Sequence, residues 1–230
     1  MIRAWMVAAL TLAFAASPIL TRGFAGFDKD QFPIPLEHWP AQPAGWAFSI
    51  WGVIYLWLIA SGVKGLKENG ALWRAMRPAL SVSLTVGVFW ISVANTAPIA
   101  ATVMIVVMAA TAIAALLRTR GADPGWLAGP VGLYAGWLTA ASGVACAVML
   151  SGYGVLSPRI AAVVLLSLVL IVALIVTGRA RTHSYPIAVC WALSGVIAAN
   201  ASAAHWPVAA LAGVGIVLIA TRALLQRPLR

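Results

Sequence analysis

The side chains able to do acid–base or metal chemistry are few and lie outside the long apolar runs. The carboxylates are Asp28, Asp30, Glu37, Glu68 and Asp123, and all five fall in polar connecting stretches. Proton relays, ion pumps and intramembrane metal hydrolases place carboxylates or histidines at bilayer depth, so this distribution counts against those classes. His38, His183 and His205 also sit between apolar runs. They read as solvated loop residues, with His38 or His205 as an axial haem ligand the sharper alternative. Cys146 and Cys190 lie inside apolar runs without CxxC or Cys/His spacing, which gives no zinc site and no disulfide framework. No Gly-rich phosphate loop and no Ser/His/Asp set is visible, so an enzyme ranks last among the function classes. What the apolar runs do carry is aromatic. Residues 43–57 hold five aromatics: Trp46, Phe48, Trp51, Tyr55 and Trp57. On a helix Phe48, Trp51 and Tyr55 fall at i, i+3 and i+7 on one face, while Trp57 points elsewhere. Trp46 lies at the helix mouth, where an indole suits the membrane–water boundary. Trp90, Tyr134 and Trp137 supply further rings, and Trp39 sits in the polar stretch before the helix. Such faces suit a flat apolar ligand, and they equally suit plain helix packing with interfacial anchors.

The run Pro43, Gly45, Trp46, Phe48, Trp51, Tyr55 resembles the entry into the second membrane helix of the tryptophan-rich sensory protein family, also called the translocator or TspO/MBR family. Tyr134 and Trp137 are similar to that family's Tyr-x-x-Trp in its fifth helix. The core pattern covers roughly residues 1–155. Ser49–Tyr55 and the later Cys190-Trp191-Ala192-Leu193-Ser194-Gly195 resemble a longer branch with extra C-terminal helices. The resemblance implies a pocket between a covering loop and helices two, three and five. Trp39, Trp46, Phe48, Trp51, Tyr55, Trp90, Tyr134 and Trp137 are its ligand-binding candidates. A porphyrin, haem or sterol-like molecule is the implied ligand, and the family's porphyrin-degrading activity is disputed. The chain departs from the pattern at two positions. Ala145, eight residues after Trp137, and Gly87, three before Trp90, stand where the family commonly has Asn.

The elements that must hold these residues are legible from composition. Of 230 residues 63% are hydrophobic and 9% charged, with mean hydropathy +0.97. Soluble domains carry about 25% charged residues. The chain therefore reads as all-α, a polytopic transmembrane bundle of about eight helices. The net charge is +10, but the basic residues are spread between apolar runs rather than clustered. Membrane orientation explains them, and no nucleic-acid partner is implied.

The first apolar run covers 4–21. It fits a retained helix, and also a signal peptide cut near Ala13-x-Ala15 or Ala16-Ser17, which would remove about residues 1–16. Residues 22–44 contain Pro33, Pro35, Pro40 and Pro43, a density that forbids a regular helix and favours turns in a lid or surface loop. Helices are expected over 45–63, 78–95, 98–117, 126–151, 159–178, 185–202 and 206–224. Residues 79–117 carry no charge and are too long for one span, so the break belongs at Asn95-Thr96-Ala97-Pro98. Gly129, Gly132, Gly136, Ala140 and Gly143 form a stripe of small residues, which lets helices approach closely and also suits a homodimer. Asn200-Ala201-Ser202 matches a glycosylation sequon by chance.

With the N-terminus inside, twelve Lys and Arg fall on inner segments and three (Arg22, Lys29, Arg159) on outer ones. This places both termini in the cytoplasm of a bacterial inner membrane. Residues 1–155, with the lid at 22–44, form a TspO-like five-helix core. Residues 156–230 add three helices and a short basic tail. The leading function is a sensory or regulatory membrane protein that binds an apolar ligand. The alternative is a facilitator or transporter of a neutral solute, which needs no carboxylate relay.

Overall fold

The computed structural model describes residues 2–21, 23–120, 123–201 and 205–225. It contains eight α-helices: α1 (Ile2–Leu20), α2 (Ile50–Gly65), α3 (Ala71–Ala94), α4 (Pro98–Leu117), α5 (Ala128–Gly152), α6 (Pro158–Ala180), α7 (Ser184–Asn200) and α8 (Trp206–Leu224). No strand occurs among the described residues. Seven helices are long and apolar enough to cross a membrane, and α7 is an apolar helix of 17 residues. At about 1.5 Å per residue such a helix sits at the short end of what can span. The protein is a polytopic helical membrane bundle. Large apolar side chains face outward, as Leu56 on α2 (72% exposed) and Val103 on α4 (61%) do, toward the acyl chains.

The break in the long uncharged stretch falls where the sequence puts it. Helix α3 stops at Ala94, α4 starts with Pro98, and the Asn95 side chain donates to the Gly23 carbonyl. The start of α3 differs. It begins at Ala71 rather than 78, so Pro78 lies inside the helix and removes the bond to the Arg74 carbonyl. Arg74 and Arg77 are therefore helical, not loop residues. Arg77 is buried and donates at 2.7 Å to the carbonyls of Gly65 and Glu68. A buried guanidinium bonded to carbonyls at and just beyond the C-terminal end of α2 explains why a basic residue is tolerated there. The second helix differs as well. Gly45–Ser49 is a 3-10 turn, and the α-helix proper runs from Ile50 to Gly65.

Helix α5 is central, touching α2, α4, α6 and α7, while α8 packs on α6 and α7. Its small-residue stripe makes this possible. A methyl group at Gly136 would lie 2.3 Å from the Tyr185 carbonyl oxygen, and one at Gly143 would lie 2.2 Å from the Val169 side chain. The face that suits pairing between copies is thus occupied inside the chain by α7 and α6. Two buried hydroxyl pairs tie α5 to its neighbours: Tyr134 with Ser83 of α3 at 2.9 Å, and Thr139 with Tyr185 of α7 at 3.0 Å.

Candidate functional site

The covering loop is ordered and folded inward. Its middle forms a short 3-10 turn, Lys29–Gln31, with Asp28 as N-cap and Gln31 accepting from the Asp28 amide at 2.9 Å. Gln31 also donates to the Ala94 carbonyl. Phe27, Phe32, Trp39 and Ala41 are buried, and the prolines leave the chain in turns that let these side chains alternate inward. Phe32 lies against Gly152, and the Ile34 amide donates to the Gly152 carbonyl at 3.0 Å, so the loop is fixed to the end of α5. Lys29 pairs with Glu37 on the exposed side, a contact of little energetic weight.

The far end of the loop is fixed to α7. The Ala44 amide donates to the Gly195 carbonyl at 3.0 Å, and the Trp191 indole donates to the Ala47 carbonyl at 2.8 Å. A methyl group at Gly195 would meet both Pro43 and Ala47 Cβ at 2.8 Å. Asn200, fully buried, donates to the Pro40 carbonyl at 2.9 Å. The two marked stretches of the sequence, 43–57 and 190–195, are therefore one seam. The Asn200 of the sequon is buried, and its Ser202 lies outside the described residues.

Beneath this seam is a cavity of about 60 Å³ with an almost wholly apolar lining. Its near wall is aromatic: Phe24 and Phe27 from the loop, Phe48, Trp51, Trp90 and Trp137. Its far wall is aliphatic and comes from α5, α6 and α7, including Ala145, Leu166, Val169 and Leu193. A second cavity of about 160 Å³ shares some of these rings and is lined besides by Phe14 and Pro18 of α1, Tyr55 and Ile91. Phe24, Phe48, Trp51 and Trp90 border both.

Trp51 is the hub of the wall. Its ring stacks on Tyr55 at 5.2 Å and meets Phe14 and Trp137 edge-on at 5.8 and 6.0 Å. Phe48 also meets Trp137 edge-on, at 5.7 Å, and Phe24 meets Trp90 at 4.7 Å. Such pairs add ~0.5–1.5 kcal/mol beyond area burial, so the wall is stiff. The Trp90 indole is satisfied by the Ala101 carbonyl at 2.9 Å. The Trp137 indole nitrogen, in a residue 2% exposed, has no hydrogen-bond partner.

Of the eight sequence candidates, Phe48, Trp51, Trp90 and Trp137 line the first cavity, and Tyr55 lines the second. Tyr134 is fully buried behind them, 5.6 Å from Phe14 and bonded to Ser83. Trp39 packs on Phe32 at 5.2 Å inside the loop and borders neither cavity. Trp46 is 47% exposed and packs edge-on to Trp191 at 5.0 Å, outside the cavity. Phe14, Phe24 and Phe27 were missed. Each is a lone aromatic in an apolar run or a loop, where periodicity gives no signal.

Both histidines lie outside the long helical spans, His38 exposed and His205 half-buried, and what the sequence does not show is that they meet: their rings stack with centroids 5.6 Å apart and planes 18° apart. His38 Nε2 lies 3.4 Å from Asn200 Oδ1, whereas His205 Nδ1 is buried without a partner. Burial, followed by the nearby His38 and Arg159, holds the His205 imidazole below its ordinary value. Rings stacked on each other leave no slot for a haem plane between them, and neither histidine borders the cavities. Among the described residues no group of three or more His, Cys, Asp or Glu is placed to hold a metal ion.

A family model described as TSPO-like protein matches residues 37–225. No curated protein and no solved structure matches the chain.

Proposed function

Because the chain belongs to the TSPO-like protein family, we propose that it is a tryptophan-rich sensory or regulatory membrane protein that binds an apolar ligand under the 22–44 loop. A porphyrin, haem or sterol-like molecule is the ligand class that the resemblance brings. The observation that carries this reading is the convergence of Phe48, Trp51, Trp90 and Trp137 on one cavity beneath an inward-folded loop. Four aromatic rings around an apolar space offer a flat molecule both burial and stacking. In this reading residues 1–155 supply the aromatic wall and the α5 part of the aliphatic one, and the added helices of 156–230 complete the aliphatic wall. The protein lies in a bacterial inner membrane with both termini cytoplasmic.

The test is a titration of purified protein with a porphyrin while tryptophan emission is followed. Quenching at micromolar ligand, lost in the Trp51→Ala/Trp137→Ala double variant at unchanged expression, supports binding. Unchanged emission in the wild type overturns it. The second reading, facilitated passage of a neutral solute, draws on the two cavities that share one ring wall. Saturable uptake into proteoliposomes would favour it, and binding without flux would favour the sensor.

A further inference from the structure

Arginines without a partner gather where α6 and α8 finish. Beyond Asp123 the sequence has no further Asp or Glu, no Lys, and six arginines. Arg222 of α8 lies so close to Gly178 of α6 that a methyl group there would collide with its guanidinium. Arg179 follows Gly178, and Arg181 ends α6 with φ +52°. Among the described residues Arg181 is the one non-glycine with positive φ. Glycine is the usual residue at such a helix end, because a side chain there is strained. An arginine kept in that conformation points to a use for its side chain.

Attraction to the carbonyl ends of α6 and α8 would by itself account for basic residues here. It also calls for bonds to carbonyls, and elsewhere in the chain such bonds exist. Arg77 donates to Gly65 and Glu68, and Arg118 donates to Ala114. Arg179, Arg181 and Arg222 are exposed and make no hydrogen bond or ion pair to a described residue. Their charge is left to be neutralised from outside the chain.

The residues leading up to these arginines say by what. On α6 Ile171, Ile175 and Arg179 lie at i, i+4 and i+8, and on α8 Val214, Leu218 and Arg222 repeat that spacing. All four apolar side chains are exposed. The two rows lie one residue away from the α6–α8 contact, where Leu170 packs on Gly215. Each row is a track for an acyl chain that ends at a cation. The geometry points to a site for one anionic phospholipid, its phosphodiester held by Arg179, Arg181 and Arg222 and its chains laid along the two rows. Guanidinium groups take phosphate oxygens through paired N–H donors, which an ammonium does not offer. In the orientation proposed above this end lies in the cytoplasmic leaflet, where anionic headgroups attract juxtamembrane cations. The site shares no residue with the aromatic cavities and does not depend on what they bind.

The experiment mixes the full chain, purified in detergent, with equimolar dioleoyl phosphatidylglycerol and dioleoyl phosphatidylcholine. These share their chains and a phosphodiester, but the second is zwitterionic. Bound lipid is counted by native mass spectrometry. The wild type retains the anionic lipid about tenfold over the zwitterionic one. Arg179→Gln/Arg222→Gln brings the two lipids level. Arg3→Gln/Arg120→Gln, which removes the same charge from exposed positions on other elements, keeps the preference. Inorganic phosphate at about 10 mM leaves the lipid bound, since it lacks the chains that the two rows hold. Equal retention of the two lipids by the wild type overturns the inference even if no variant folds. A preference that survives Arg179→Gln/Arg222→Gln, or that falls equally in the two double variants, also overturns it, the latter because net charge alone would then be at work. Release of the lipid by inorganic phosphate would assign the arginines to a free anion and overturn the lipid.

Discussion

At the scale of single residues, Gly195 and the Tyr134–Ser83 pair show what holds the site in shape. Gly195 lets the end of the loop and the 3-10 turn close on α7 without intervening atoms. Gly195→Val puts branched carbons where Pro43 and Ala47 already sit. The expected cost is ~1–3 kcal/mol of overpacking, read as a lower Tm in detergent. Tyr134→Phe removes the hydroxyl that pairs with Ser83, while Ser83 Oγ keeps the Met108 carbonyl as acceptor. Because Ser83 stays satisfied, the expected loss is small, about 0.6 kcal/mol as for other interhelical bonds in membranes. A double-mutant cycle with Ser83→Ala measures it. The legibility of the site follows the same residue logic. Phe48, Trp51 and Trp137 stand out in the sequence because helical spacing and neighbouring Gly and Tyr residues mark them. Val169, Leu166 and Leu193 do not, since ordinary aliphatic residues carry no sign of the cavity they face. The Trp137 donor was legible as a residue but not as an unpaired group, which only its neighbours decide.

At the scale of elements, the covering loop behaves as a strap with fastenings at α3, α5 and α7. A further contact of the loop, His38 on His205 at the start of α8, responds to pH. His205 stacks on His38, and the other charged group acting on it is Arg159, while Glu37 is engaged with Lys29. The folded imidazole is held below its ordinary value, so the unfolded chain binds the proton more readily than the folded one. The stability it contributes is complete above about pH 6.5 and is lost as pH falls through the lower folded value. Thermal unfolding of the wild type should therefore shift down between pH 7.5 and 5, and His205→Phe should flatten that shift. An unchanged pH profile in the variant removes His205 from the account. The loop also shows where element boundaries escape sequence reasoning. Four prolines announced an irregular segment, and it is irregular. The edge of the uncharged run put the start of the third helix at 78, yet α3 begins a full two turns earlier, with Pro78 inside it. Arg77 inside that helix has the carbonyls of Gly65 and Glu68 to bond, and that tertiary partner overrides the local preference.

At the scale of the whole molecule, helix number and the uncharged interior were readable because lipid leaves few alternatives. Backbone groups must be satisfied within helices, and charges collect at their ends. The packing order was not readable, because an apolar helix in lipid has no polar side to reveal its neighbour. The added helices illustrate this: α7 packs along α5 and fastens the loop, and α6 and α7 close the far side of the cavity. A chain ending at residue 155 would leave Gly132, Gly136 and Gly143 facing lipid and remove Leu166, Val169 and Leu193 from the cavity wall. It should then lose ligand-dependent tryptophan quenching entirely and give a broad, aggregated profile on size exclusion, whereas a chain ending at Leu225 should keep both properties. A monodisperse 1–155 fragment that still binds would mean that the aromatic wall and its loop form a complete site alone, with α6–α8 serving another purpose.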